Sequence, residues 1–234
     1  MYLIKTPLLL KKLYPNHLIW NKSRKDKSIF LTFDDGPIPI VTPWVLKTLK
    51  KFNAKATFFC IGENIEKNQD IFLQLKADGH AIGNHTYNHL KGWRTDNNVY
   101  FENFEKCQKL THTNLFRPPY GRIKKSQIKM ILDGGKETQE SRIKNKDYLQ
   151  DFQPSTLNLK PSTPNLKIIM WDVLSGDFDF KLSPEKCLKN VLKHTENGSI
   201  VVFHDSLKAW ERLEYTLPKA LEIWSNEGYQ FKTL

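Results

Sequence analysis

The sequence predicts an α/β fold built on a mainly parallel sheet. Two observations carry that expectation. Apolar, strand-like runs alternate with helix-like segments about seven times along the 234 residues, the pattern of parallel strands joined by helical crossovers. The unusual polar residues also recur just past the C-terminal ends of the predicted strands. In a parallel barrel those ends gather on one face. A single domain suits this length, with room for a sizeable core.

Residues 1–27 are basic and loosely patterned, and read as an N-terminal arm or short helix packing on the outside. The domain proper spans 28–234. Its first strand covers 28–33, where the run Ile29-Phe30-Leu31 breaks into two carboxylates and a Gly-Pro turn. Thr42-Pro43 supplies an N-cap and a proline at the first helical position, opening a helix to about Phe52. The continuous apolar run Ala56 to Ile61 is a buried strand. A helix follows over about 64–77 and is ended by Gly79. His80 to Asn84 is a short strand, about 97–110 a helix, and Asn114 to Phe116 a brief strand. Another helix starts near Lys124.

The segment at about 133–164 differs. It holds Gly134-Gly135, many charges, and Pro154, Pro161 and Pro164, with no sustained apolar period. It reads as a loop insertion. Regularity returns with a strand over Lys167 to Trp171, and Ser183-Pro184 caps a helix to about His194. Ser199 to Phe203 is a strand, about 207–226 a helix, and Tyr229 to Lys232 a last strand.

Lys and Arg total 36 against 25 Asp and Glu, a formal charge of +11. Such charge suits acidic partners. The lysines are scattered, however, with no compact basic run, so no nucleic-acid partner is expected. Cys60, Cys107 and Cys187 form no CxxC pair, and their odd count argues against a disulfide framework. The first apolar run is interrupted by Lys5 and Pro7, unlike a signal peptide, and no stretch is long enough to span a bilayer. The default expectation is a cytoplasmic protein, with peripheral membrane association through a short N-terminal helix left open.

The chemistry begins at Asp34 and Asp35. Adjacent carboxylates repel each other and lose hydration when buried, and a bound cation would offset that cost. His85-Thr86-Tyr87-Asn88-His89 places two imidazoles at i and i+4. On a helical turn they would share a face and chelate one divalent ion. Two histidines and one carboxylate make a three-ligand site with open positions for water and substrate. Zinc fits this donor set best, with cobalt, nickel or manganese as substitutes. None of the three intervening residues is a base, so a base must come from elsewhere. Asp34, beside the ligand Asp35, is the obvious candidate.

Five ordered stretches now stand together: Thr32-Phe33-Asp34-Asp35-Gly36-Pro37, His85 to His89, Arg117-Pro118-Pro119-Tyr120-Gly121, Trp171 to Asp177, and Val202-Phe203-His204. They resemble the motifs of the polysaccharide deacetylases, the NodB-homology domains of carbohydrate esterase family 4. The resemblance covers about 28–233, less the 133–164 segment. It implies a distorted (β/α)7 barrel and metal-dependent removal of N-acetyl groups from an amino sugar. By resemblance, Asp35, His85 and His89 are the metal ligands and Asp34 the catalytic base. Arg117 orients that base, and the Tyr120 backbone N–H helps hold the oxyanion. Asp177 orients His204, the general acid, and Val202 lines the pocket for the acetate methyl.

There are departures. The family's fourth motif often reads D-x-x-D-W, and here Leu174 and Phe178 occupy its first and last positions. Trp44, Trp93, Trp171 and Trp210 are candidate sugar-stacking faces. The expected activity is N-deacetylation of an amino sugar in a polysaccharide, oligosaccharide or glycolipid. Alternatives are hydrolysis of a non-sugar linear or cyclic amide on the same metal site, and a catalytically silent glycan-binding barrel. The sequence leaves the oligomeric state open.

Overall fold

A computed structural model describes residues 2–15, 17–135 and 165–234. Of the insertion expected at 133–164, residues 136–164 lie outside the described residues. The elements run in the order α1 (Leu8–Leu13), β1 (Leu18–Ile19), β2 (Ser28–Asp34), α2 (Val41–Lys51), β3 (Ala56–Cys60), α3 (Gly62–Lys67), α4 (Gln69–Ala77), β4 (Ala81–Asn84), α5 (Asn97–Thr111) and β5 (Leu115–Phe116). After them come α6 (Lys125–Leu132), β6 (Lys167–Ile169), β7 (Val173–Leu174), α7 (Pro184–His194), β8 (Ile200–His204), α8 (Trp210–Asn226) and β9 (Gln230–Phe231).

Every strand pair among them is parallel, in the order β1-β6-β5-β4-β3-β2-β8-β7, with β9 beside the start of β2. One continuous stretch, Lys167 to Leu174, supplies both β6 and β7. It begins paired with β5 and β1 and ends paired with β8. The chain itself thus bends the sheet round on itself into a distorted (β/α)7 barrel. Short, twisted strands joined by helices permit that closure.

The pleat of β2 explains its two faces. Ile29, Leu31 and Phe33 join the core under the outer helices with Val45, Leu49, Leu213, Leu217 and Trp224. The alternate residues Phe30, Thr32 and Asp34 face the other way. There Phe30 packs with Phe59, Leu115, Ile169 and Ile200 in the barrel interior. Strands buried on both faces read as near-continuous apolar runs, which is why β2, β3 and β8 stand out most plainly in the sequence; the expected strands near β4, β5, β6 and β9 are also present.

The N-terminal segment contains the expected short outer helix, α1, none of whose residues is buried, but it is more than an outer arm. β1 joins the sheet, and Leu18 and Trp20 are buried. Lys5 bridges Val173 in antiparallel fashion, and Asn21 bridges Ser199. The anchor is the fully buried carboxylate of Asp172, which accepts from Lys5, Lys11, Arg24 and the Ser199 hydroxyl at 2.7–2.8 Å. The expected helix over 64–77 is two helices broken at Asn68, whose φ is −137°. Among the described residues no helix is long and apolar enough to cross a membrane.

Burial opposes ionisation of Asp172, but its four donors outweigh that and hold it well below the usual carboxylate range. A depressed carboxylate stabilises the fold above its unfolded pKa, and the contribution is lost as pH falls through the folded value. Asp172→Asn should therefore cost about 2–3 kcal/mol at pH 7, somewhat less than a wholly buried pair because Lys5 and Arg24 retain access to water. Urea unfolding at several pH values checks this. The gap between the two proteins should narrow on acidification below about pH 4.

Candidate active site

The register of the sheet sets the geometry. Asp34, at the end of β2, lies opposite His204 of β8 on one side and Phe59 of β3 on the other. Thr32 lies opposite Val202, and Val202 opposite Leu174. The C-terminal ends of β2, β4, β5, β7 and β8 open into a cavity of about 580 Å³. Asp34, Asp35, His85, His89, Tyr120, Trp171, Leu174, Val202 and His204 all line it.

Arg117, directly after β5, is completely buried. Its Nη1 donates to Asp34 Oδ1 and Thr32 Oγ1, both at 2.7 Å. Nη2 donates to the Met170 carbonyl and Nε to that of Ile169. The guanidinium lies 4.1 Å from the Phe59 ring centroid. Burial works to raise the Asp34 pKa, but Arg117, followed by His85 and His204, holds it below the usual carboxylate value. Asp34 is an ionised carboxylate at neutral pH.

Asp35 sits in a left-handed conformation with φ 88°, which costs a non-glycine residue about 1–3 kcal/mol. The surroundings hold it there. Asn64 Nδ2 donates to the Asp35 carbonyl at 2.7 Å, and Asn68 Nδ2 to that of Pro37 at 3.0 Å. The Gly36 N–H donates to Asp205 Oδ1, and Thr42 Oγ1 to Asp205 Oδ2. The break between α3 and α4 therefore serves the Asp-Asp-Gly-Pro turn. Thr42, expected as a helix cap, has this other partner, and α2 starts one residue before it.

His85 and His89 do not lie on a helical turn. They occupy an irregular loop after β4, with left-handed Thr86 (φ 64°) and His89 (φ 61°). Asn84 Oδ1 accepts from the Thr86 N–H, and Asn103 Oδ1 from the Tyr87 N–H. The loop still brings the imidazoles together, with ring centroids 5.0 Å apart. His85 Nδ1 lies 2.7 Å from the Arg117 carbonyl. A carbonyl only accepts, so Nδ1 carries the proton and Nε2 keeps its lone pair. That Nε2 is 3.8 Å from Asp35 Oδ1, and His89 Nε2 is 3.4 Å from the same oxygen. Burial pushes both imidazoles below their ordinary value, so both are neutral at pH 7.

One ligand atom from each of Asp35, His85 and His89 falls within 4.8 Å of the others. Asp35 Oδ1 is buried with no hydrogen-bond partner. An orphaned carboxylate oxygen facing two neutral imidazole Nε2 atoms fits a divalent cation.

Asp177, fully buried, grips His204 twice. Oδ1 lies 2.7 Å from His204 Nδ1, and Oδ2 accepts the His204 backbone N–H at 2.7 Å. Burial would lower the His204 pKa, but Asp177, with support from Asp35 and Asp34, pushes it up to about 9. Tyr120 is left-handed (φ 60°), and its ring packs 4.5 Å from that of His89.

Of the tryptophans, Trp171 lines the cavity. Trp44 and Trp210 instead pack on each other, with centroids 5.1 Å apart, against the outer core. Trp93 lies beneath Arg122 and outside the lining. Sequence reasoning passed over Tyr2, Lys91, Arg122, Ser206 and Lys208 in the lining, and gave no role to Asp205, buried next to His204. Lys91, Arg122, Asp205, Ser206 and Lys208 follow His89, Tyr120 and His204 by one to four residues and carry no pattern of their own, whereas Tyr2 reaches the site only through the fold.

A parallel barrel with a candidate metal triad, a buried Arg–Asp pair and an Asp–His dyad at its C-terminal face defines a hydrolase-type centre. Comparison with known proteins places it more narrowly. Residues 21–137 match the family model described as polysaccharide deacetylase, and the chain belongs to that family, the NodB-type carbohydrate esterases of family 4. A peptidoglycan-N-acetylglucosamine deacetylase of Bacillus cereus is 29% identical, with 97% of this chain and 96% of its own length aligned. A chitooligosaccharide deacetylase of Azorhizobium caulinodans is 33% identical over 66% of this chain and 83% of its own. Among solved structures, a peptidoglycan N-acetylglucosamine deacetylase in complex with 4-naphthalen-1-yl-N-oxidanyl-benzamide superposes with a TM-score of 0.74. It is 27% identical and covers 97% of this chain and 94% of that one.

A Cβ at Gly36 would run into the Asp205 carboxylate. Gly36→Ala should thus destabilise the fold by about 2 kcal/mol. In a double-mutant cycle, Asp205→Ala should recover part of that loss, because it clears the space. Strict additivity of the two changes would show that the clash is not the cause.

Proposed function

We propose that the chain hydrolyses the N-acetyl group of an amino sugar in a glycan, with a single divalent ion held by Asp35, His85 and His89. The observation that carries this reading is the pairing, in one cavity, of Asp34 clamped by Arg117 with His204 clamped by Asp177. The ion, zinc by its donor set, would supply Lewis acidity toward the amide carbonyl and make water more acidic.

The chain's own residues would do the rest. Asp34 accepts a proton from the attacking water, and Arg117 keeps Asp34 ionised and pointed. The water oxygen bonds to the acetyl carbon while negative charge develops on the amide oxygen. The Tyr120 backbone N–H, projected by a left-handed residue, is a donor for that charge. His204 gives its proton to the nitrogen as the C–N bond breaks, so that a neutral amine departs rather than an amide anion. Asp177 supports the imidazolium beforehand. Val202 and Leu174, at one level of adjacent strands, offer an apolar surface for the acetyl methyl.

The direct test is acetate release by the zinc-supplemented protein from N-acetylglucosamine oligomers and peptidoglycan fragments, with a chelated control. Asp34→Asn should bind one equivalent of zinc yet lose about 100-fold or more in kcat. His85→Ala should lose both zinc and turnover. Full activity in Asp34→Asn would remove the base assignment.

The pH profile offers a second check. Asp34 is ionised across the neutral range, and His204 acts only when protonated, so kcat/KM should hold through neutrality and fall as pH rises through about 9. Asp177→Asn removes the charge that raises His204. The basic limb should then move to lower pH, and an unmoved limb would free His204 from this role.

A further inference from the structure

We propose that the N-terminal segment builds one wall of the active-site cavity, with the paired rings of Tyr2 and Phe178 forming a stacking face for a pyranose ring of the glycan. This rests on the deacetylase reading above and specifies how its substrate is held.

Position comes first. Tyr2 lines the same cavity as Asp34, Asp35, Val202 and His204. Its ring centroid lies 5.0 Å from that of Phe178. Phe178 in turn stands edge-on to His204, with centroids 5.1 Å apart. A sugar bearing its nitrogen toward His204 would meet this aromatic pair alongside. The C–H face of a pyranose is an apolar surface that packs on such rings, as aromatic side chains offer large contact area at low entropic cost.

The placement of Tyr2 is built rather than incidental. Its hydroxyl donates to Asp179 Oδ2 at 2.8 Å. Burial, and then Asp179, pushes that hydroxyl above its ordinary value, so it stays a donor at any working pH. The backbone behind it is docked on β7: Leu174 N–H donates to the Ile4 carbonyl, and Thr6 N–H to that of Asp172. Lys5 and Lys11 both reach the Asp172 carboxylate. That clamp fixes the register of the segment against the strand that carries Leu174. Gly176 (φ 82°) leaves room at the contact, where a Cβ would stand 3.1 Å from the Tyr2 hydroxyl.

The sequence adds its own argument. Leu174 and Phe178 are the positions where this chain departs from the D-x-x-D-W pattern. Tyr2 packs on the second and its segment hydrogen-bonds to the first. The smaller Phe178 ring is thus paired with a second aromatic brought from the other end of the chain. Nothing in the motif itself announces this partner.

The test uses the full chain carrying a C-terminal tag, with zinc added. In an Asp34→Asn background, where turnover is suppressed, calorimetry gives the Kd for N-acetylglucosamine tetramer. Adding Tyr2→Ala should weaken binding about five- to tenfold, whereas Tyr2→Phe, which keeps the ring, should stay within about twofold. In the active protein, Tyr2→Ala should raise KM for the tetramer more than it lowers kcat, and should reduce tetramer turnover more than hydrolysis of 4-nitrophenyl acetate. Unaltered tetramer binding in Tyr2→Ala, or equal losses on tetramer and ester, would overturn the stacking wall while leaving the deacetylase reading in place. A protein that neither binds nor deacetylates any glycan would remove both.

Discussion

The arginine at the end of β5 is the constraint on which the rest of this structure depends. Arg117 is a full charge with no access to water, and such a group is tolerated only when its donors and its charge are met. Here Nη1 serves β2, while Nε and Nη2 serve the carbonyls of Ile169 and Met170. The ring of Phe59 from β3 supports the flat face. Its own N–H and carbonyl meet Asn84 and His85 at the end of β4. One side chain and its peptide units thus tie together the interior ends of five strands. Asp34 belongs in this interior because Arg117 is there, and Arg117 is bearable because Asp34 is there. Removing either would leave the other as a buried unpaired charge.

Four of the eight positive-φ residues other than glycine among the described residues stand around that pair, and contacts from elsewhere meet them. Asp35, Thr86, His89 and Tyr120 all hold positive φ, which side chains other than glycine rarely adopt. All four stand at the mouth of the barrel. Asn64, Asn84, Asn103 and Asp205 meet the backbone of the strained turns. Strain concentrated where several loops converge is the usual mark of a functional centre. It also accounts for the orphaned Asp35 oxygen: a turn this well held keeps a carboxylate pointed at two imidazoles without any partner in the protein.

What the sequence made legible follows the range of the interactions. β2, β3 and β8 are continuous apolar runs because they are buried on both faces. α7 opens at Ser183-Pro184, where the Ser183 hydroxyl accepts the Lys186 N–H three residues on. Such signals are local and can be read. The pair His85 and His89 was legible for a different reason than the true one. A four-residue spacing suits a helix, but here the loop between them is shaped by Asn103, on a helix further along the chain. Thr42 looks like a cap because nothing nearby reveals Asp205, 163 residues away. β1 and β7 have two residues each, too few for any period. The integration of the N-terminal segment turns on Asp172, a residue whose burial no sequence window can display.

Two carboxylates, Asp34 lining this cavity and Asp177 buried behind its wall, are paired with two different cations, and the pairing divides their chemistry. Arg117 cannot give up its proton, so its effect on Asp34 is to keep a proton acceptor ionised in a site that would otherwise neutralise it. His204 can give up its proton, so the effect of Asp177 runs the other way, holding a proton on the imidazole well above neutral pH. The parallel register of β2 with β8 places Asp34 and His204 side by side at the same level. On the proposed reading, an acceptor and a donor kept apart in pKa but adjacent in space are what amide hydrolysis needs, since water must lose a proton and the leaving nitrogen must gain one. A barrel that merely bound glycan would gain nothing from burying Arg117 to ionise Asp34, and nothing from holding His204 charged. The cost of both arrangements is met by the fold, and it is the reason to read the site as catalytic rather than as a surface for sugar alone.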